Sequence, residues 1–227
     1  MPQATRFEMI VTALLTLAAL GVAAAVLHRE FGTSPVVGAR DRSRAPEFLE
    51  YWKDLVPPDD SLASGDDGTV VVIEFSDLEC PFCRRFHDAL GRARDETGVR
   101  VRSVFLHYPL PQHRFAVPAA RAAECARDQG RFNPFLDAVF RGQDSLGLKA
   151  WSRFGAEAGV PDSAAFERCA SSTSQPRAVT SGLASGERVG VTGTPTVIID
   201  GWRYYVPPYD SLAQILRAAA QRHAPPQ

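Results

Sequence analysis

The chain has 227 residues, enough for one good-sized domain with an appendage, and its hydrophobic content of 45% and charged content of 22% are those of a globular protein rather than a disordered or fibrous one. A net charge of -1 gives no electrostatic footprint for nucleic acid. The four cysteines are an even number, and cysteine pairs outside a redox motif belong more naturally to an oxidising compartment.

Residues 10–27, IVTALLTLAALGVAAAVL, are 18 uncharged and mostly apolar residues, at the short end for a membrane-spanning helix. The competing reading is a cleaved signal peptide, with Ala23-Ala24-Ala25 as a small-residue cleavage site. The anchor is favoured, because Arg6 is offset by Glu8 and leaves a weak signal-peptide start. Arg29, Arg40, Arg42 and Arg44 follow the run, and by the positive-inside rule they would keep the next domain in the cytoplasm. Cysteine usage argues the other way. Residues 1–9 are therefore assigned to the cytoplasm and the domain to the outside.

Residues 28–65 read as a linker with a short packing helix. Gly, Ser, Pro and Arg mark 29–45 as a flexible tether. Over 46–56, Phe48, Trp52, Leu55 and Val56 recur at helical spacing, and Pro57-Pro58 stop the pattern. That stripe either packs on the domain or binds a partner. Residues 59–68 are a loop.

The run Val70-Val71-Val72-Ile73 predicts a buried strand over 69–75, and Glu74 follows the run. Cys80-Pro81-Phe82-Cys83 then opens a helix over 81–97: Pro81 suits its first position and Gly98 ends it. Two cysteines two residues apart at a helix start can form a reversible disulfide. The first sulfur lies where the helix N-terminus favours negative charge. The rival chemistry is half a zinc site, which needs a second ligand pair. Cys125 and Cys169 do not make a second C-x-x-C, so zinc would have to recruit histidines. Strand, motif and helix in this order favour redox chemistry. Arg84, Arg85 and His87 either stabilise the Cys80 thiolate or form a solvated helix face, and Asp77 and Glu79 would oppose ionisation. Glu74 reads as buried rather than as an edge carboxylate, because it closes an apolar run.

Residues 99–106 alternate apolar and polar and predict a second strand, parallel to the first through a right-handed crossover. His107 and His113, in the loop after it, could pair with a cysteine or simply pack. From 116 to 189 the chain reads as helical pieces broken by Gly and Pro, with a helical insertion over about 116–175. Strands return at 195–199 and 202–206 around an Asp200-Gly201 hairpin turn. A helix over 210–222, capped by Asp210 or Ser211, closes the domain, and 223–227 is a tail.

Three motifs, VVVIEFSDLECPFCRRFH, AAECARDQGRF and GVTGTPTVIIDG, occur in that order. On them the chain resembles the DsbA-like thiol:disulfide oxidoreductases of the thioredoxin-fold superfamily, over about 66–222. The resemblance implies an α/β, thioredoxin-like fold with an inserted helical subdomain, preceded here by the transmembrane or signal helix. It makes Cys80 the exposed nucleophile, Cys83 the buried resolving thiol and Glu74 the acid that assists proton transfer. It makes Thr194-Pro195 a cis-proline loop that, with Phe82, meets the substrate chain. The name-giving enzyme has histidine where this chain has Phe82, which offers a thiolate neither charge nor hydrogen bond. Cys125 and Cys169 would form a structural disulfide within the insertion, with two buried free thiols as the alternative. Such a bond closes a loop of about 45 residues and stabilises by about 4 kcal/mol in the chain-entropy picture.

No metal or organic cofactor is expected beyond the redox disulfide Cys80–Cys83. The expected partners are thiols of exported proteins, a quinone-linked membrane reoxidant of the DsbB or VKOR-like kind, and the membrane through the N-terminal helix. Nucleic acid is not expected, and the protein is taken as a monomer. The expected function is an extracytoplasmic enzyme that introduces disulfides into exported proteins. The alternatives are a reductase or isomerase of the same fold, or a membrane-tethered binding or chaperone module with a structural C-x-x-C.

Overall fold

Seven consecutive residues, Val70–Ser76, are all buried, so the strand they form carries no in-out alternation of polarity. In the computed structural model, which describes residues 11, 14–22, 45–56, 68–205 and 207–223, this strand is the second of five. The chain runs Glu47–Phe48 (β1), Val70–Ser76 (β2), Pro81–Thr97 (α1), Val101–His107 (β3), Ala116–Arg127 (α2), Phe132–Arg141 (α3), Trp151–Glu157 (α4), Ser163–Ala170 (α5), Arg177–Val189 (α6), Thr196–Ile199 (β4), Trp202–Tyr204 (β5) and Leu212–His223 (α7). The sheet order is β1-β5-β4-β2-β3. Among the described residues only β2 and β3 pair in parallel, from Val70 opposite Val101 to Ser76 opposite His107. The other pairs are antiparallel.

Residues 1–43 and 44–227 form two separate units. In the first, residues 14–22 are helical. Among the described residues no helix is long and apolar enough to cross a membrane. The remainder of the candidate anchor at 10–27, the segment 1–9 expected in the cytoplasm, most of the expected tether, residues 57–67, which hold most of the expected loop, and the final four residues lie outside the described residues.

Alternation along β2 sorts its side chains onto two faces. Val70 and Val72 face a core with Phe86, Ala89 and Leu90 of α1, Val197 and Ile199 of β4, and Leu212 and Leu216 of α7. Full burial of a side chain such as Phe86 is worth about 2–3 kcal/mol. Val71, Ile73 and Phe75 face the opposite core, with Leu49, Leu55, Val104, Leu106, Val189 and Ile198. A third core fills the insertion. Phe135, Phe140, Phe154 and Phe166 pack there together with Leu78, Cys80 and Cys83, so the redox motif lies at the seam between sheet and insertion.

The expected helix over 46–56 is not formed. Glu47–Phe48 is an edge strand, with Phe48 opposite Trp202, and Trp52–Leu55 is a single 3-10 turn. Tertiary pairing overrides the helical spacing: the Leu49 N–H donates to the Gly201 carbonyl at 2.9 Å, and Phe48 packs on Trp202 at 5.3 Å between ring centroids. Gly201 (φ 86) leaves no room for a side chain, because a Cβ there would sit 2.5 Å from Phe48 and 2.6 Å from Trp52. The other elements lie within a few residues of their expected places. Gly98 ends α1 in the left-handed conformation (φ 63), its N–H donating to the Arg94 carbonyl. The helical region extends beyond 175, and α6 closes down on β3.

Candidate active site

Cys80 caps α1 with an extended backbone, and Pro81 occupies the first helical position. The Cys80 carbonyl accepts from the N–H groups of Cys83 (3.1 Å) and Arg84 (3.2 Å), which closes the first turn; Pro81 has no N–H, so Phe82 keeps the one outside that carbonyl's reach. Cys80 and Cys83 are both free thiols. They are not equivalent. The bond from the Cys83 thiol pulls the Cys80 thiol down most, burial pushes back, and the Thr194 side chain with the Cys83 and Phe82 N–H groups brings it to about 6. Burial pushes the Cys83 thiol well up, and the proton it shares with Cys80 and the nearby Glu74 charge push it further. The Asp77 N–H, 3.4 Å from the Cys83 sulfur, acts in the opposite sense. One sulfur is thus set up as a thiolate and the other as a thiol.

From the far side, the Cys80 thiol donates to the Thr194 carbonyl at 3.3 Å. The Thr194–Pro195 bond is cis. The turn before it is closed by the Thr196 hydroxyl, which donates to the Gly193 carbonyl at 2.8 Å. The Thr194 hydroxyl is buried without any other partner, placed to donate to the sulfur when it ionises. Beneath the pair, strand alternation puts Glu74 on the face of Val70 and Val72, the face that carries α1. It is 6% exposed. Burial pushes its carboxyl to about 8, against a 2.7 Å bond from the Ser76 hydroxyl and with help from charge at Cys80.

Cys80 is not the exposed thiol of the sequence reading. It is 3% exposed, because the Thr194-Pro195 loop and the insertion core close over it. The exposed members of the motif are Pro81 and Phe82, the latter at 57%. Asp77 and Glu79 do not simply face the thiolate. The Asp77 side chain accepts from the Glu79 and Leu110 N–H groups (2.8 and 2.7 Å) and pairs with His113 at 2.7 Å. Glu79 accepts from the Phe115 N–H at 2.5 Å. Both tie the motif loop to the loop after β3. Arg84 pairs with Asp144, His87 with Asp137, and Arg85 lies over the Tyr209 ring at 4.2 Å, so this helix face is taken up by partners other than the sulfur. His107 is buried and bonds Glu124 at 2.9 Å. Burial pushes the Glu124 carboxyl up, but His107 and Arg127 outweigh it and hold it below its usual value. His107 is the last residue of β3 rather than part of the loop after it, and both it and His113 are held by a carboxylate rather than by a cysteine.

Cys125 of α2 and Cys169 of α5 are joined by a disulfide, with Cα atoms 5.9 Å apart. Among the described residues no group of three or more His, Cys, Asp or Glu could hold a metal ion. Two neighbours of the motif were not visible in the sequence. Gln143, buried just after α3, donates to the carbonyls of Leu78 (2.8 Å) and Cys80 (3.0 Å). Tyr209, before α7, donates to the Phe82 carbonyl at 3.3 Å. Both follow a helix end or a Pro pair and read as loop.

The thioredoxin family profile matches residues 60–218, well over half of the chain. The chain belongs to the thioredoxin family. Among solved structures this thioredoxin-family chain is similar to a thioredoxin-like oxidoreductase from Silicibacter pomeroyi, at 26% identity and TM-score 0.52, over 67% of this chain and 85% of that one. The fold is also that of BdbD from Bacillus subtilis (16% identity, TM-score 0.60, 70% and 91% covered) and of DsbA from Xylella fastidiosa (20%, 0.52, 70% and 88%). A curated relative, named as an Na(+)/H(+) antiporter from Mycolicibacterium vanbaalenii, is 33% identical over 76% of this chain. The match covers 28% of that relative, so the chain spans about a quarter of the length of such proteins. A cavity of about 430 Å³ lined by Arg84, His87, Asp88, Asp137, Phe140 and Arg141 contains none of the redox residues.

Proposed function

We propose that the protein is an extracytoplasmic thiol:disulfide oxidoreductase that introduces disulfides into exported proteins through Cys80 and Cys83. One observation carries the reading: a low-pKa thiol at a helix N-terminus, 3.3 Å from the carbonyl that precedes a cis proline, with a buried high-pKa partner in the same turn. In the oxidised protein a substrate thiolate attacks the Cys80 sulfur. The new S–S bond forms as the Cys80–Cys83 bond breaks, and its electron pair leaves on Cys83. The Asp77 N–H receives that charge, and Glu74, protonated at neutral pH, supplies the proton. A second substrate thiolate then attacks the substrate sulfur of the mixed disulfide and releases Cys80 as thiolate. The substrate leaves oxidised and the protein reduced by two electrons. A quinone-linked membrane reoxidant of the DsbB or VKOR-like kind returns it to the disulfide.

A stable Cys80 thiolate favours the reduced protein and so makes its disulfide oxidising. The Cys125–Cys169 disulfide supports an oxidising compartment. The apolar run at 10–27 supports attachment to a membrane with the domain outside. Antiporter activity is not proposed, since the match leaves most of those longer proteins uncovered. The test is the equilibrium of the Cys80–Cys83 pair with glutathione. A potential above the roughly −270 mV of thioredoxin is expected; one at or below it makes the protein a reductase. Cys80→Ser should abolish exchange, and unchanged activity in that variant would remove the enzymatic reading.

A further inference from the structure

The redox loop is held by a side chain that the exchange chemistry does not require. Gln143 begins the 3-10 turn Gln143–Ser145 that follows α3. Its place is fixed from both sides. The Gly142 N–H donates to the Ala138 carbonyl at 3.0 Å, and the Ser145 hydroxyl and N–H both return to the Gly142 carbonyl at 2.6 and 2.9 Å. A Cβ on Gly142 would lie 2.9 Å from the Phe154 ring, so the turn is pressed into the insertion core. From this anchored position the Gln143 amide reaches 63 residues back along the chain. It spans two carbonyl oxygens, Leu78 at 2.8 Å and Cys80 at 3.0 Å, at a site 7% exposed to solvent.

The Cys80 carbonyl belongs to the residue that bears the reactive sulfur, and it also accepts the Cys83 and Arg84 N–H groups of α1. Both carbonyls belong to the loop that carries the sulfur, and Gln143 holds the two together. Two carbonyl dipoles there oppose ionisation, and the two N–H groups of Gln143 offset them in a water-poor setting where such bonds act strongly. The same bonds fix the orientation of the Cys80 peptide and hence of the first helical turn, whose Phe82 and Cys83 N–H groups lower the thiol.

We propose that Gln143 is a positioning residue for thiol–disulfide exchange, through which the helical insertion sets the ionisation of Cys80. This rests on the exchange reaction proposed above. It makes the insertion part of the redox machinery, not only a cover, and gives a route by which changes in the insertion alter the oxidising strength of an unchanged C-x-x-C.

The test uses the full chain, wild type against Gln143→Met, which keeps length and volume but removes both donors. Gln143→Glu is the second variant, which keeps shape and replaces the donors by a charge beside two carbonyls. Three quantities are read: the pH midpoint of thiolate ultraviolet absorbance, the glutathione equilibrium, and the Tm of oxidised and reduced forms. In both variants the thiolate midpoint should rise, and the equilibrium should shift about tenfold toward a less oxidising disulfide, about 30 mV. The reduced form should lose more stability than the oxidised form. A variant with wild-type midpoint and equilibrium overturns the proposal, even if both forms lose the same Tm, because Gln143 is then only a structural bond. A wild-type protein that fails to exchange with glutathione overturns the exchange reading itself, and the proposal with it.

Discussion

Replacing Glu74 by Gln should stabilise the protein, and by an amount that depends on pH in a defined way. Glu74 keeps its proton up to about pH 8 in the fold but releases it near 4.5 in the unfolded chain. Between those values the folded state binds more protons than the unfolded state, so stability falls as pH rises, by about 1.4 kcal/mol per pH unit. Below pH 4.5 both states are protonated and the acid costs nothing relative to a neutral amide. At pH 7 the accumulated loss is about 3 kcal/mol, and it levels off near roughly 5 kcal/mol above pH 8. Glu74→Gln should therefore match the wild type at pH 4 and exceed it by these amounts at pH 7 and pH 9. The assay is urea unfolding at a series of pH values, on reduced and oxidised forms. Burial is the first cause of the raised value and Cys80 charge a later one, so most of the effect should persist in the disulfide form. Parallel stability curves for wild type and variant from pH 4 to 9 would refute the reasoning. The sequence keeps an acid here against stability, the pattern of a residue retained for function.

Alkylation of the reduced protein should modify Cys80 with a rate that is half-maximal near pH 6 and leave Cys83 untouched at neutral pH; mass spectrometry of peptides after a pH series reads both. Removing both Cys125 and Cys169 by Ala substitution opens a loop with a sequence separation of 44, and should cost about 4 kcal/mol in urea unfolding without changing the Cys80 titration. Gly182→Ala should destabilise by about 1–3 kcal/mol, seen as a lower Tm. A Cβ at that position of α6 would lie 2.1 Å from the His107 carbonyl oxygen, and backbone cannot move aside as a side chain can.

Local signals carried the frame. The β-branched run from Val70, Pro81 at the first helical position and Gly98 at the helix end each act within a few residues, and β2 and α1 lie where those signals put them. Glu74 could be read as buried because the apolar run it closes is also a local signal. Phe48 could not, since its partner Trp202 lies at the other end of the chain, and helical spacing within 46–56 says nothing of an edge strand 150 residues away. The same limit explains the motif loop. Asp77 and Glu79 look like charges beside a cysteine until Leu110, His113 and Phe115 supply their donors. Gln143 carries no pattern at all; its role comes from two carbonyls in another segment. Burial of Cys80 likewise depends on Thr194, 114 residues further along the chain.

That contact also sets a clock. Cys80 and the Thr194 carbonyl it meets are 114 residues apart. At roughly 5–20 residues per second of synthesis, the thiol pair emerges on the order of ten seconds before its partner loop exists. Gln143 arrives about midway, so the groups that distinguish the two sulfurs accumulate in stages. Through that interval Cys80 and Cys83 are an ordinary dithiol on an unfinished chain, open to oxidation by other proteins before they can oxidise any themselves.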